Sequence, residues 1–274
     1  MRYLFALYSA LLAFSAMPAF AESEAVTQAT VSSPSLTAET KAKVVQEVIR
    51  HLREEYVDPE VGRPAADRLA RMFDEGRFSD ARTGDAYAKA LGAELQSLTG
   101  DGHLNVEHSP KAIALEAEAD DGFSADEMEK YYGAKVNFGI QRIEHLDGNI
   151  GYLDLRVFAQ IDMGGASVAS AMSVLAPTSA LIIDLRKNGG GIGDMADLVA
   201  SYLFAEERQP LTGVYDRPTD TLTQRFTQPM VPGRRFGPDK PVYILMSKRT
   251  FSAAEALAYY LQALGRATII GEVS

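Results

Sequence analysis

The spacing of apolar residues changes period twice along this chain. From Lys41 to Tyr56, Val44, Val45, Val48, Ile49, Leu52 and Tyr56 fall on one face of a helix. A second helix is expected to open with Pro64 in its first turn and to end at Glu75, with Gly76 as a left-handed cap. A third runs from about Asp85 to Leu98, with Tyr87, Leu91, Leu95 and Leu98 along one side. Three helices with short links make a small bundle that closes at Thr99-Gly100-Asp101-Gly102-His103. The period then lapses. Residues 109–134 are acidic and irregular, with one helix-start signal at Ser124-x-x-Glu127.

Beyond that segment the pattern turns strand-like. Val136–Ile143 and Ile150–Val157 read as two strands joined by Asp147-Gly148-Asn149, a hairpin signal. Strand and helix then alternate: a helix over Met163–Leu175, a strand over Ala180–Leu185 and a helix over Gly193–Phe204. After an interruption at 209–240, read as a β-hairpin with long loops, come a strand Val242–Met246, a helix Ala253–Leu264 and a strand Ala267–Ile270. Such alternation means βαβ units, so the fold class is α/β, with a β-α-β core behind a small N-terminal helical bundle. The alternation stops at Gly271–Ser274, straight after a strand, which predicts a piece of a longer protein with an incomplete core sheet. The expected organisation is a signal peptide at 1–21, a flexible tether at 22–40, a helical domain at 41–108, a connecting segment at 109–134 and the core at 135–274.

The first residues change the picture of where the protein works. Arg2, an apolar run from Tyr3 to Phe20 and the ending Ala19-Phe20-Ala21 describe a secretory signal. Export to the periplasm, or full secretion, follows; the membrane is a partner only if that segment stays uncleaved. The chain has no cysteine, so an oxidising compartment finds no disulfide to form. The formal charge of −10 becomes −11 without Arg2. An acidic chain lacking a basic run in its sequence is repelled by phosphate backbones, which argues against nucleic acid as a partner. There is no H-E-x-x-H and no histidine cluster, so neither a metal nor another cofactor is expected.

Two stretches carry candidate chemistry. In Leu181-Ile182-Ile183-Asp184-Leu185-Arg186-Lys187-Asn188-Gly189-Gly190-Gly191 a buried strand runs into three glycines that open a helix. Glycines there let a backbone approach a ligand and present N–H groups to negative charge. A dinucleotide fingerprint fails, since counting from Gly189 its last glycine would be Asp194. An oxyanion cradle and a plain glycine turn both remain. The second stretch is Thr250-Phe251-Ser252-Ala253-Ala254-Glu255, at the carboxyl end of a strand, where α/β sites gather. Ser252 at a helix start lies near the positive end of the dipole. Ser252-x-x-Glu255 is equally a capping box.

Asp184-Leu185-Arg186-x-Asn188-Gly-Gly-Gly, followed by Thr250-x-Ser252-Ala253-Ala254-Glu255, resembles the tail-specific, C-terminal-processing serine peptidases of the tricorn-core type. Gly148-Asn149-Ile150-Gly151-Tyr152-Leu153 and Gly271-Glu272 resemble them too. Within that family the chain is most similar to the interphotoreceptor-retinoid-binding-protein-like branch, whose helical domain ends in Asp-x-His, here Asp101-Gly102-His103. The resemblance implies a crotonase- or ClpP-like core and hydrolysis of polypeptide substrates through an acyl-enzyme. It makes Ser252 the nucleophile, His103 the general base, and the N–H groups of Ala253 and Gly190 the oxyanion hole, with any of the three glycines able to supply the second donor. Glu255 is a possible support.

The chain departs from that pattern in two ways. Residues 109–134 are too few for the PDZ domain of many processing peptidases, and Gly102 stands where tricorn-like members have a serine, leaving the orientation of His103 without an assigned residue. Members with a Ser–Lys dyad place their lysine past the position of Ser274; Lys248 precedes the serine and reads as a surface charge. His51 reads as an exposed helix residue, and His108 and His145 fall at loop or hairpin edges. Two other functions stay open. One is a non-catalytic module binding an apolar ligand or peptide on the same fold. The other is an interaction domain docking through the bundle or the acidic 109–134 segment.

Overall fold

The computed structural model describes residues 5–9, 36–109 and 125–274. Most of the expected signal segment and tether, and residues 110–124 of the connecting segment with Ser124, lie outside them. The chain divides into two compact units, one of residues 1–122 with 215–221, the other of 123–214 with 222–274.

The first unit is built on helices α1 (Ala38–Glu54), α2 (Pro59–Asp74) and α3 (Gly84–Thr99) and strand β2 (Leu104–His108). Phe5–Ser9, inside the segment read as a signal, forms a strand (β1) paired antiparallel with β2. Val45, Val48 and Leu52 from α1, Leu69 from α2, and Tyr87, Leu91 and Leu95 from α3 share one buried cluster. The periodicity therefore points inward as read. The start of α2 does not match: it begins at Pro59, capped by Asp58, whose carboxylate accepts from the Glu60 N–H at 2.9 Å. Pro64 lies inside this helix rather than in its first turn. An aspartate followed at once by proline is a stronger start than a proline alone.

The second unit opens with α4 (Ala125–Tyr132) and a short 3-10 turn over Ala134–Gly139. The expected strand from Val136 thus starts only at Ile140. Asn137 and Phe138 adopt positive φ of 49° and 52°, which no strand accommodates. Five strands form the sheet: β3 (Ile140–Leu146), β4 (Ile150–Leu155), β5 (Ala180–Asp184), β8 (Val242–Met246) and β9 (Thr268–Gly271), in the order β3-β4-β5-β8-β9. β3 is antiparallel to β4 and every other pair is parallel. Gly148 and Asn149 turn the β3–β4 hairpin with positive φ, as its sequence required.

Helices α5 (Ile161–Leu175), α6 (Gly193–Ser201) and α7 (Ala253–Ala263) alternate with the parallel strands. Alternate strand residues, including Leu153, Leu155, Leu181, Ile183, Val242 and Ile244, join Met172, Leu175, Val199, Leu257 and Leu261 of these helices in one buried core. The other set, among them Tyr152, Ile182, Asp184, Tyr243 and Leu245, belongs to the opposite face of the sheet. A hairpin of β6 (Pro210–Asp216) and β7 (Thr221–Phe226) fills the interruption after α6. This is the α/β core with preceding helices that the alternation predicted.

Candidate active site

Two loops leave the carboxyl ends of adjacent parallel strands: residues 185–192 after β5 and 247–252 after β8. Hydrogen bonds stitch them together. Thr250 Oγ donates to the Leu185 carbonyl at 2.8 Å, Ser247 Oγ donates to the Arg186 carbonyl at 2.6 Å, and the Phe251 N–H donates to the Asn188 carbonyl at 3.1 Å. Asn188 is fully buried, and its Nδ2 donates to Leu155 of β4 at 3.0 Å. Sequence reasoning quoted Asn188 and Thr250 as parts of a motif and gave them no task. Their task is to hold the glycine loop and the serine loop in one geometry.

The result is that Gly190 and Ser252 stand side by side. A Cβ built on Gly190 would lie 2.9 Å from Ser252 Cβ, 2.9 Å from the Phe251 carbonyl oxygen and 3.2 Å from the Ala253 nitrogen. Gly190 also has φ +101°, open only to glycine. Gly190→Ala should therefore both destabilise the protein and displace Ser252. A fall in activity larger than the loss of folded protein, read by thermal unfolding beside a peptidase assay, is the expected outcome.

Ser252 itself has φ 56° and ψ −122°, a conformation in which L-residues are rare. It occurs where β8 gives way to α7, and the side chain is half-buried rather than sealed. A serine on a sharp, strained strand-to-helix turn is how α/β-hydrolases present a nucleophilic hydroxyl, although the G-x-S-x-G pattern is absent here. The Glu255 carboxylate accepts from the Ser252 N–H at 2.7 Å. That bond is the carboxylate half of a capping box, so Glu255 serves the backbone of the turn. The strain at Ser252 had no signal in the sequence.

One expectation is corrected. The Gly190 N–H, read as an oxyanion donor, donates to Asn188 Oδ1 at 2.7 Å and is spent inside the loop. The loop runs beside Phe158: the Phe158 N–H donates to the Gly190 carbonyl, and the Ile192 N–H donates to the Phe158 carbonyl, both at 2.8 Å. In such a parallel bridge the N–H of the intervening Gly191 points away from Phe158.

Behind the loops two ion-pair systems hold the scaffold. Asp184, at the end of β5, accepts from Tyr152 Oη at 2.6 Å and from Arg186 Nε and Nη2. Burial alone would raise its carboxyl; bonds from Arg186 and Tyr152 outweigh this and hold it down at about 2. Asp197 of α6 accepts from Arg225 Nε at 2.6 Å and from Tyr260 of α7, while Arg225 also pairs with Asp194. The helices that begin at the two loops are thereby tied to each other. Burial pushes the Asp197 carboxyl up, against the pull of Arg225.

His103 belongs to the first unit. Its ring Nδ1 and its backbone N–H both meet Asp101 Oδ1 at 2.9 Å, and Tyr56 Oη donates to Asp101 Oδ2 at 3.2 Å. The orienting group missing at Gly102 is therefore present one residue earlier. An Nδ1–H donated to a carboxylate fixes the tautomer with its acceptor on Nε2. His108 pairs with Asp85, and His51 with Glu55. Among the described residues no group of three or more histidine, aspartate or glutamate side chains could hold a metal ion, and no helix is long and apolar enough to cross a membrane.

Two solved structures with TM-scores above 0.5 share this architecture. A candidate peptidase from Parabacteroides merdae aligns over 83% of this chain and 74% of its own, at 22% identity and a TM-score of 0.51. A lipoprotein from Streptococcus agalactiae aligns over 85% and 76%, at 11% identity and the same TM-score. The photosystem II D1 C-terminal processing protease aligns over 85% and 81%, at 16% identity and a TM-score of 0.43. In sequence, residues 24–136 match the N-terminal domain of Peptidase S41 in eukaryotic IRBP, and residues 149–274, which carry both stitched loops, match Peptidase family S41. With its helical and α/β parts matched in order, the chain belongs to peptidase family S41.

Proposed function

We propose that this protein is an exported serine-type peptidase, periplasmic or secreted, that cleaves polypeptides through an acyl-enzyme on Ser252. The observation that carries the reading is the strained backbone of Ser252 beside Gly190 at adjoining strand ends. Strain of this kind persists only where surrounding structure enforces it, and it gathers at functional sites.

In the proposed reaction Ser252 Oγ attacks the scissile carbonyl carbon and His103 Nε2 takes the hydroxyl proton. The Ala253 N–H, at the first turn of α7, and the Gly191 N–H stabilise the oxyanion, each worth about 3 kcal/mol in the transition state. Collapse of the tetrahedral species expels the amine with the proton from His103. Water then repeats the sequence and frees the serine. Asp101 holds the imidazole in the tautomer both halves require.

A non-catalytic binding module on the same fold is favoured only by the Gly190 N–H already being spent on Asn188. Labelling separates the two. A fluorophosphonate probe should modify the protein once, on the peptide carrying Ser252, as located by mass spectrometry. Absence of labelling, or labelling at another serine, ends the peptidase reading.

A further inference from the structure

The β6–β7 hairpin is largely exposed, yet its turn is firmly built. Asp216 Oδ1 accepts from the Thr219 N–H at 2.9 Å, the Asp220 N–H donates to the Arg217 carbonyl at 3.1 Å, and Tyr215 Oη donates to Asp220 Oδ1 at 3.0 Å. Near its base the hairpin is pinned through Arg225 to Asp194 and Asp197 of α6. What the turn presents is Arg217. Its Nη1 donates to the Tyr56 carbonyl at 2.5 Å and its Nη2 to the Arg53 carbonyl at 3.0 Å, 161 and 164 residues away along the chain.

Both carbonyls lie at the end of α1, where a helix leaves oxygens without an intrahelical partner and where its dipole favours a cation. Tyr56 carries the contact further. Its backbone N–H donates to the His51 carbonyl at 3.0 Å, and its ring lies against α2, where a Cβ built on Gly62 would come within 3.1 Å of Tyr56 Cδ1. With backbone and ring both fixed, Oη meets Asp101 Oδ2 at 3.2 Å. Burial, then the Asp101 carboxylate, push the Tyr56 hydroxyl above its ordinary value, so it keeps the proton it donates. Asp101 Oδ1 is the atom that meets His103 Nδ1. A carboxylate held at one oxygen can swing about its Cβ–Cγ bond, whose torsion is soft; held at both, it cannot.

We propose that Arg217 and Tyr56 are positioning residues for His103: the hairpin turn fixes the link after α1, and the Tyr56 hydroxyl locks the Asp101 carboxylate in the plane the imidazole requires. The assignment rests on the general-base role given to His103, while its first readout needs no turnover.

The test uses the full chain with isotope-labelled histidine and three variants. Tyr56→Phe keeps the ring against Gly62 and removes only the hydroxyl. Arg217→Gln removes the charge. Arg217→Lys keeps a cation at the helix end but lacks the planar fork that spans two carbonyls. Nitrogen chemical shifts of His103, identified by their loss in His103→Ala, report the tautomer. The parent protein should hold the proton on Nδ1, and all three variants should move a measurable fraction to Nε2, the form imidazole favours in water. In Tyr56→Phe, kcat for a cleavable peptide should fall about tenfold at constant KM, the size of one hydrogen bond to a charged group. Placed on Asp101→Asn, the same change should cost nothing more. Arg217→Gln should lower both the melting temperature and kcat, and Arg217→Lys should recover the first without the second. A residue that only caps α1 gives a different pattern: kcat returns with the melting temperature and the tautomer never moves. That pattern, or Tyr56→Phe with the tautomer and kcat of the parent, overturns the proposal. Failed labelling of Ser252 ends the peptidase reading and leaves the tautomer comparison to decide this one.

Discussion

Ser252→Ala is expected to lower kcat for a cleavable peptide by about 10⁶-fold, the scale on which a nucleophile acting as part of a catalytic unit is lost. Removing one oxygen from a half-buried side chain leaves no packing defect. The Glu255 carboxylate would still accept from the residue 252 N–H, since that bond is to backbone. Thermal unfolding should stay within about 1 kcal/mol of the parent protein. The same change should abolish fluorophosphonate labelling. A variant that keeps measurable turnover would falsify the acyl-enzyme mechanism, whatever the stability result.

His103→Ala should slow the reaction by about 10²–10⁴-fold, the contribution of a positioned general base. Asp101→Asn should give a loss of similar order through the wrong tautomer, because an amide can no longer accept the Nδ1 proton in the same way. The informative pattern is the double variant: two residues acting through one imidazole should be no worse together than His103→Ala alone. Full activity in His103→Ala transfers the proton to another group, for which a lysine beyond Ser274 is the alternative the resemblance supplies.

The helices of the first unit and the strand–helix alternation of the second were legible because both depend on local periodicity. The start of α2 was misread for a local reason too: Asp58-Pro59 outcompetes Pro64 as a helix start. What stayed hidden was non-local or conformational. No pattern in Asn137-Phe138 announced two consecutive residues of positive φ. Asn188 and Thr250 acquire their meaning only when β5 is paired with β4 on one side and β8 on the other, so that Asn188 meets the Leu155 carbonyl and Thr250 the Leu185 carbonyl. The Gly190 N–H looked available until the Asn188 side chain was seen to turn back on it.

The dihedral angles of Ser252 set stability and activity against each other at a single residue. Glycine is the one amino acid at ease with φ 56° and ψ −122°, so Ser252→Gly should raise the melting temperature, by the equivalent of about 1 kcal/mol, while removing the proposed nucleophile. Under the proposed mechanism, a screen that rewards thermal robustness alone selects inactive protein at this position. Serine is thermodynamically disfavoured there relative to glycine, and that strain is the stability cost of holding a hydroxyl at this turn.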